Sequence, residues 1–174
     1  MQSVNFNDSN PLTDLLKSAV QPDLMPKHRH AFQVFRYSEP ELAPGKTKSI
    51  TRLCTSDVVY GAMQTLVEGG DSALHLHAAL DGFWMVIRGG AVFTDEQGRE
   101  TRLGPLEGIM VPRGVPYAFR KDGPETLMLL QVEALNARAK SNAMKYIGAN
   151  GAQGNAEAKA NTLAKVDLYD ALQP

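Results

Sequence analysis

The stretch Gly69-Gly70-Asp71-Ser72-Ala73-Leu74-His75-Leu76-His77-Ala78-Ala79-Leu80-Asp81-Gly82-Phe83-Trp84-Met85-Val86-Ile87-Arg88-Gly89-Gly90 carries more information than any other part of this chain. Two histidines sit one residue apart, and glycines close both ends. Phe83 to Ile87 is aromatic, apolar and partly β-branched, and reads as a buried strand. In an extended strand residues i and i+2 point to the same face. His75 and His77 therefore aim two imidazoles at one spot, which is half of a metal site.

On either side the chain breaks into short apolar runs separated by Gly/Pro punctuation. Upstream, Ser49 to Cys54 and Val58 to Val67 are strands, and Glu68 to Asp71 is the turn that delivers the histidines. Downstream, Ala91 to Thr94 and Arg99 to Leu103 flank the hairpin turn Asp95-Glu96-Gln97-Gly98. Ile109 to Val111 follows, then the rigid corner Pro112-Arg113-Gly114-Val115-Pro116, then Tyr117 to Arg120 and Thr126 to Glu133. Many short strands at close spacing predict an antiparallel sandwich or barrel.

The spacing Gly69-x5-His75-x-His77-x4-Gly82-x6-Gly89 resembles the first signature of the cupin superfamily, and the centre of the second resembles Pro112 to Tyr117. The resemblance spans residues 57 to 134. It implies an all-β fold, the cupin double-stranded β-helix or jelly roll, with a small-molecule pocket at one open end. The chain departs from the pattern in four places. The glutamate of the first signature falls on Gly82, with Asp81 adjacent but on the opposite face. The histidine of the second falls on Tyr117, its opening glycine on Leu106, and its asparagine on Lys121.

The candidate site follows from these residues. His75 and His77 are the expected ligands of a divalent transition metal (Fe, Zn, Mn or Ni), with Tyr117 or Asp81 as a further ligand. Alternatively, His75, His77 and Tyr117 serve as base and acid with no metal, as the resemblance to cupin sugar epimerases implies. Trp84 shares parity with Gly82 and is expected to face the pocket; a substrate group or the indole itself fills the space that Gly82 leaves. Phe119 shares the face of Tyr117. Gln64 and Gln131 are polar residues inside apolar strands, and Arg113 is placed to reach an anionic ligand at the rim. Met63, Met85, Met110 and Met128 read as core fillers.

The ends differ from the middle. Asn10 and Pro11 open a helix with an apolar stripe of Leu12, Leu15, Leu16 and Ala19, stopped by Pro22 and Pro26. A second His-x-His, His28 and His30, lies among charges without framing glycines and leads into an expected strand from Ala31 to Tyr37. Leu135 to Ile147 is expected to be helical, residues 148 to 161 read as a flexible linker, and Thr162 to Leu172 as a short docking helix. This divides the chain into an N-terminal helical arm (1–48), a jelly-roll domain (49–135) and a C-terminal helical and flexible tail (136–174).

Composition narrows the function. The chain has 174 residues with 18 Lys plus Arg, 19 Asp plus Glu and a formal net charge of −1. No basic stripe or helix-turn-helix pattern favours nucleic acid. No apolar run is long enough for a bilayer, and the N-terminus has no signal-peptide pattern. The single cysteine, Cys54, excludes an intrachain disulfide and fits a reducing compartment. The expectation is a cytoplasmic homodimer acting on a small molecule. The first function is a metal-dependent oxygenase or lyase. The alternatives are a metal-free isomerase and a non-catalytic ligand-binding protein.

Overall fold

Alternation sets the layers. In the strand Leu80–Arg88 the even-numbered residues Leu80, Gly82, Trp84 and Val86 are buried, while Phe83 and Ile87 are exposed. That is the period-2 pattern of a strand with one face on the core. The computed structural model describes residues 32–68, 72–136, 144–148 and 166–171. The chain divides into two units, Met1–Phe32 and Gln33–Pro174, and every described strand belongs to the second.

Eleven strands are described in chain order: β1 (Lys48–Thr55), β2 (Val59–Leu66), β3 (His75–His77), β4 (Leu80–Arg88), β5 (Gly90–Asp95), β6 (Glu100–Leu103), β7 (Gly108–Val111), β8 (Tyr117–Asp122), β9 (Leu127–Leu135), β10 (Met144–Tyr146) and β11 (Val166–Asp170). They form a six-stranded sheet, β11-β1-β2-β9-β4-β7, and a five-stranded sheet, β10-β3-β8-β5-β6. All pairs are antiparallel except β1 with β11. This is the all-β jelly roll that the resemblance implies, built as two sheets with their own edges and not as one closed barrel. No helix occurs among the described residues, and none is long and apolar enough to cross a membrane.

The core lies between the sheets. Leu66, Trp84, Val86, Leu127 and Leu129 from the larger sheet meet Ala91, Phe93, Tyr117 and Phe119 from the smaller. The Trp84 and Phe119 rings lie 5.2 Å apart, and Phe93 and Phe119 5.4 Å apart, within the range where aromatic pairs add to simple burial. Gly89 connects β4 to β5 at φ +75°, and a Cβ there would lie 2.7 Å from the Thr126 carbonyl oxygen. Only glycine meets both demands. A second cluster, Leu53, Met63 and Ala171 with Tyr37, Met128 and Leu130, lies apart from the first. Tyr37 is held there by a 2.7 Å hydrogen bond between its hydroxyl and Thr65 Oγ1.

Several expectations are corrected. Residues 32–37 are irregular apart from one bridge at Phe35, where a strand was expected. The expected helices after Leu135 are instead strands where they are described. Met144–Tyr146 pairs with β3, and Val166–Asp170 lies parallel to β1. Met110 stands on an exposed face at 63% exposure and fills no core. The expected helix from Asn10 and the second His-x-His lie outside the described residues.

Candidate functional site

Strand register brings the site together. β3 is only three residues long, and it pairs on both sides: His75 lies opposite Tyr117 of β8 and opposite Tyr146 of β10, and His77 opposite Met144. The turn after β7 fastens it further, because Gly114 N–H donates to the His77 carbonyl at 2.8 Å. The His75 ring centroid is 4.4 Å from that of Tyr117 and 5.3 Å from that of His77. Facing them from the larger sheet are Gln64, Trp84, Gln131 and Glu133. Together these residues line a cavity of about 240 Å³, which Phe119, Lys48 and Ile50 also line.

Each polar group has a defined state. His75 Nδ1 lies 2.7 Å from the Ala73 carbonyl oxygen. A carbonyl only accepts, so Nδ1 carries the proton and Nε2 keeps a lone pair. Burial is the main cause that pushes the His75 pKa down to about 4, so the ring is neutral at pH 7. Burial lowers His77 too, and its Nδ1 is buried with no hydrogen-bond partner among the described residues. Tyr117 is raised well above the usual phenol range, first by burial and then by the Glu133 charge. Glu133 is itself raised by burial, with the Gln131 hydrogen bond opposing.

Glu133 also orders the two amides. Its carboxylate accepts from Gln131 Nε2, and Gln131 Oε1 accepts from Gln64 Nε2. An ionised carboxylate fixes the direction of this chain. Gln64 Oε1 is then left as a buried acceptor with no partner among the described residues.

Gly82 explains why the first signature is altered. A Cβ built there would lie 3.0 Å from Trp84 Nε1, so the indole occupies the space where the expected glutamate would have stood. The register partner of Gly82 on β9 is Glu133. A carboxylate therefore lines the cavity from the neighbouring strand.

Of the residues singled out in the sequence, His75, His77, Tyr117, Gln64, Trp84, Phe119 and Gln131 surround this one cavity. Arg113 does not line it. Its backbone N–H donates to Asp81 Oδ1 at 2.9 Å, and its guanidinium pairs with Asp81 Oδ2 at 3.4 Å. Asp81 is thereby engaged in fastening the corner after β7, on the face of β4 opposite Gly82. Neither lines the cavity that the histidines face. Among the lining residues that escaped the sequence reading, two are charged, Glu133 and Lys48. Glu133 was within reach of it, since Leu127, Leu129, Gln131 and Glu133 share one parity. Lys48 was not, because it is the first residue of β1 and borders a Pro/Gly loop.

The donor set bears on a resident metal. Among the described residues no three His, Cys, Asp or Glu side chains are grouped to share a cation. Catalytic zinc sites use three protein ligands and leave one position open. His75 and His77 fall short of that number, Asp81 is engaged elsewhere, and Glu133 is bonded to Gln131. The described residues do not fit a resident divalent transition ion.

Comparison with known proteins agrees with this architecture. No curated protein matches the chain. Among solved structures, the TT1209 protein of Thermus thermophilus superposes with a TM-score of 0.50 at 22% identity, over 55% of this chain and 90% of its own. A Klebsiella pneumoniae protein with a double-stranded β-helix domain gives 0.52 at 17% identity, over 66% and 90%. The cupin domain of Schizosaccharomyces pombe Cnp3 gives 0.50 at 17% identity, over 57% and 73%. At these identities the likeness is one of fold. The sequence profile of the cupin domain matches residues 62–133. That segment holds both histidines, Trp84, Tyr117 and Glu133, and over it the chain is similar to the cupin domain.

Proposed function

We propose that this cupin-like protein is a small-molecule enzyme that moves protons without a resident metal, in the manner of an isomerase. The supporting observation is the convergence of Glu133, Tyr117 and His75 in one cavity, each with its proton affinity displaced by burial. Displaced pKa values in a cleft mark functional sites. The metal-dependent oxygenase or lyase expected from the two histidines gives way to this reading because the donor set is short.

The roles follow from protonation state. Glu133, made a stronger base by burial, takes a proton from a carbon next to a carbonyl. The electron pair moves onto the carbonyl oxygen, which the Tyr117 hydroxyl stabilises as a hydrogen-bond donor. Glu133 returns the proton to the neighbouring, former carbonyl carbon as the proton of the substrate's adjacent hydroxyl passes to the former carbonyl oxygen, so the molecule is isomerised with no net oxidation or reduction. Neutral His75 offers Nε2 as an acceptor to a ligand hydroxyl.

The test is solvent exchange. Two- to six-carbon hydroxy- and oxo-compounds are incubated with the protein in D2O and followed by NMR. Exchange at one carbon position is expected, unaffected by dialysis against EDTA. Glu133→Gln is expected to slow it by about 10²–10⁴-fold. Exchange abolished by chelation and restored by a metal ion overturns the proposal, as does the absence of exchange across the panel.

A further inference from the structure

We propose that the ligand of this cavity is a small hydroxy-carboxylate, its carboxylate resting on Lys48 Nζ and a hydroxyl donating to Gln64 Oε1. The inference rests on the reading of the cavity as a ligand site and adds the chemical class of the ligand.

Lys48 is the first observation. It opens β1 with only 5% of its surface exposed, and it lines the cavity. Its ammonium lies 4.7 Å from the centre of the Phe119 ring. Among the described residues no carboxylate forms an ion pair with it. Glu133 lines the same cavity but is bonded to Gln131. Burial with nothing to offset it holds the ammonium down to about 8, so it is still mostly charged at neutral pH. A buried charge is tolerated when it is paired, and an aromatic face is a weak substitute for an anion. An anion of the ligand supplies the missing partner.

Gln64 Oε1 is the second observation, independent of the first. The order of the Glu133–Gln131–Gln64 chain leaves this oxygen as an acceptor without a donor among the described residues. Leu66 is the register partner of Lys48, so Gln64, two residues back on β2, is its diagonal neighbour on the same face. Diagonal neighbours lie about 7–8 Å apart at the backbone, and long side chains close much of that gap. A carboxylate and a hydroxyl a few atoms apart on one molecule satisfy both.

Two features decide against a phosphate. A phosphate monoester carries a charge of about −1.5 to −2 at pH 7. Among the described residues the lining holds one ammonium, no arginine, and the Glu133 carboxyl facing the same space. A single negative charge matches that field. The volume of about 240 Å³ lies below the usual range for drug-sized ligands, about 300–1,000 Å³, and suits a molecule of few carbons.

The test uses the full chain and thermal unfolding, confirmed by calorimetric titration. The probes are glycolate, glycerate and gluconate, their neutral counterparts ethylene glycol, glycerol and glucitol, and glycerol phosphate. At least one acid is expected to raise the melting temperature saturably and to bind at least tenfold tighter than its neutral counterpart and than glycerol phosphate. Lys48→Met is expected to abolish that preference while remaining folded, with a melting temperature at or above that of the unsubstituted chain. Gln64→Leu is expected to weaken the acid while leaving a residual preference for charge. Neutral compounds binding as tightly as acids, Lys48→Met binding acids undiminished, or no acid binding at all overturns the inference. Acids that bind by way of Lys48 without solvent exchange leave it standing and count against the proton-transfer mechanism alone.

Discussion

A neutral histidine inside the protein makes an acid-sensitive residue. The folded His75 pKa of about 4 lies below the ordinary value of 6.5. Between those values the unfolded chain holds a proton that the folded chain refuses. The stability attached to His75 is therefore fully present above pH 6.5 and is lost as pH falls toward 4, by about 3 kcal/mol. His77 acts in the same direction. Glu133 acts in the opposite one: its raised carboxyl adds stability at low pH that fades as pH rises through its folded value. Urea unfolding at pH 7, 5.5 and 4.5 is expected to show the native chain weakening with acid. His75→Gln is expected to flatten that slope, whatever it costs at pH 7. Parallel curves for the two proteins would mean that His75 is not buried in its neutral form.

Within a single strand, β4 shows how one position constrains its neighbours. Gly82 has no side chain because the Trp84 indole has taken the space, and Phe93, Phe119 and Tyr117 pack around that indole. With the ring held on those sides, a methyl group at Gly82 is not absorbed by a small shift. Gly82→Ala is expected to destabilise by about 1–3 kcal/mol, the range for overpacking a filled core. Phe83→Ala, on the exposed face of the same strand, is expected to cost less; equal effects in chemical denaturation would refute the account. The same strand shows what was legible in the sequence. Period-2 alternation and Gly/Pro punctuation were enough for β1 through β9, because local sterics and one-sided burial set them. β10 and β11 were not legible, since neither lies between Gly/Pro turns as the equally short β3, β6 and β7 do. They are strands only because β3 and β1 offer edges to pair with. A pattern that ignores pairing reads Leu163, Val166, Tyr169 and Leu172 as a helix. The Arg113 ion pair was hidden for a related reason: its partner Asp81 is 32 positions away, and no local signal joins them.

Across the molecule, the cavity opposes stability. A sandwich of this kind is held by its apolar core, yet Lys48, Gln64 and Trp84 each place a buried polar or charged group beside it without full satisfaction. Native proteins are stable by only about 5–15 kcal/mol, so such groups persist against a measurable penalty. Lys48 is the clearest case. Its folded pKa of about 8 against an ordinary 10.5 means that its contribution is intact only above pH 10.5 and is lost as pH falls through 8. At pH 7 the penalty is about 3 kcal/mol. Lys48→Met keeps an unbranched apolar chain in the site and removes the charge. It is expected to stabilise the ligand-free chain by up to about 3 kcal/mol at pH 7 and by progressively less as pH rises toward 10. An anion bound at 100 times its dissociation constant adds about 2.7 kcal/mol to the unsubstituted chain alone. The stability gap between the two proteins should therefore close in the presence of a binding acid and reopen on dialysis. Equilibrium unfolding at pH 7 and 9, with and without that acid, measures all four states. A Lys48→Met protein less stable than its parent at pH 7 would show that the ammonium already has its partner within the chain.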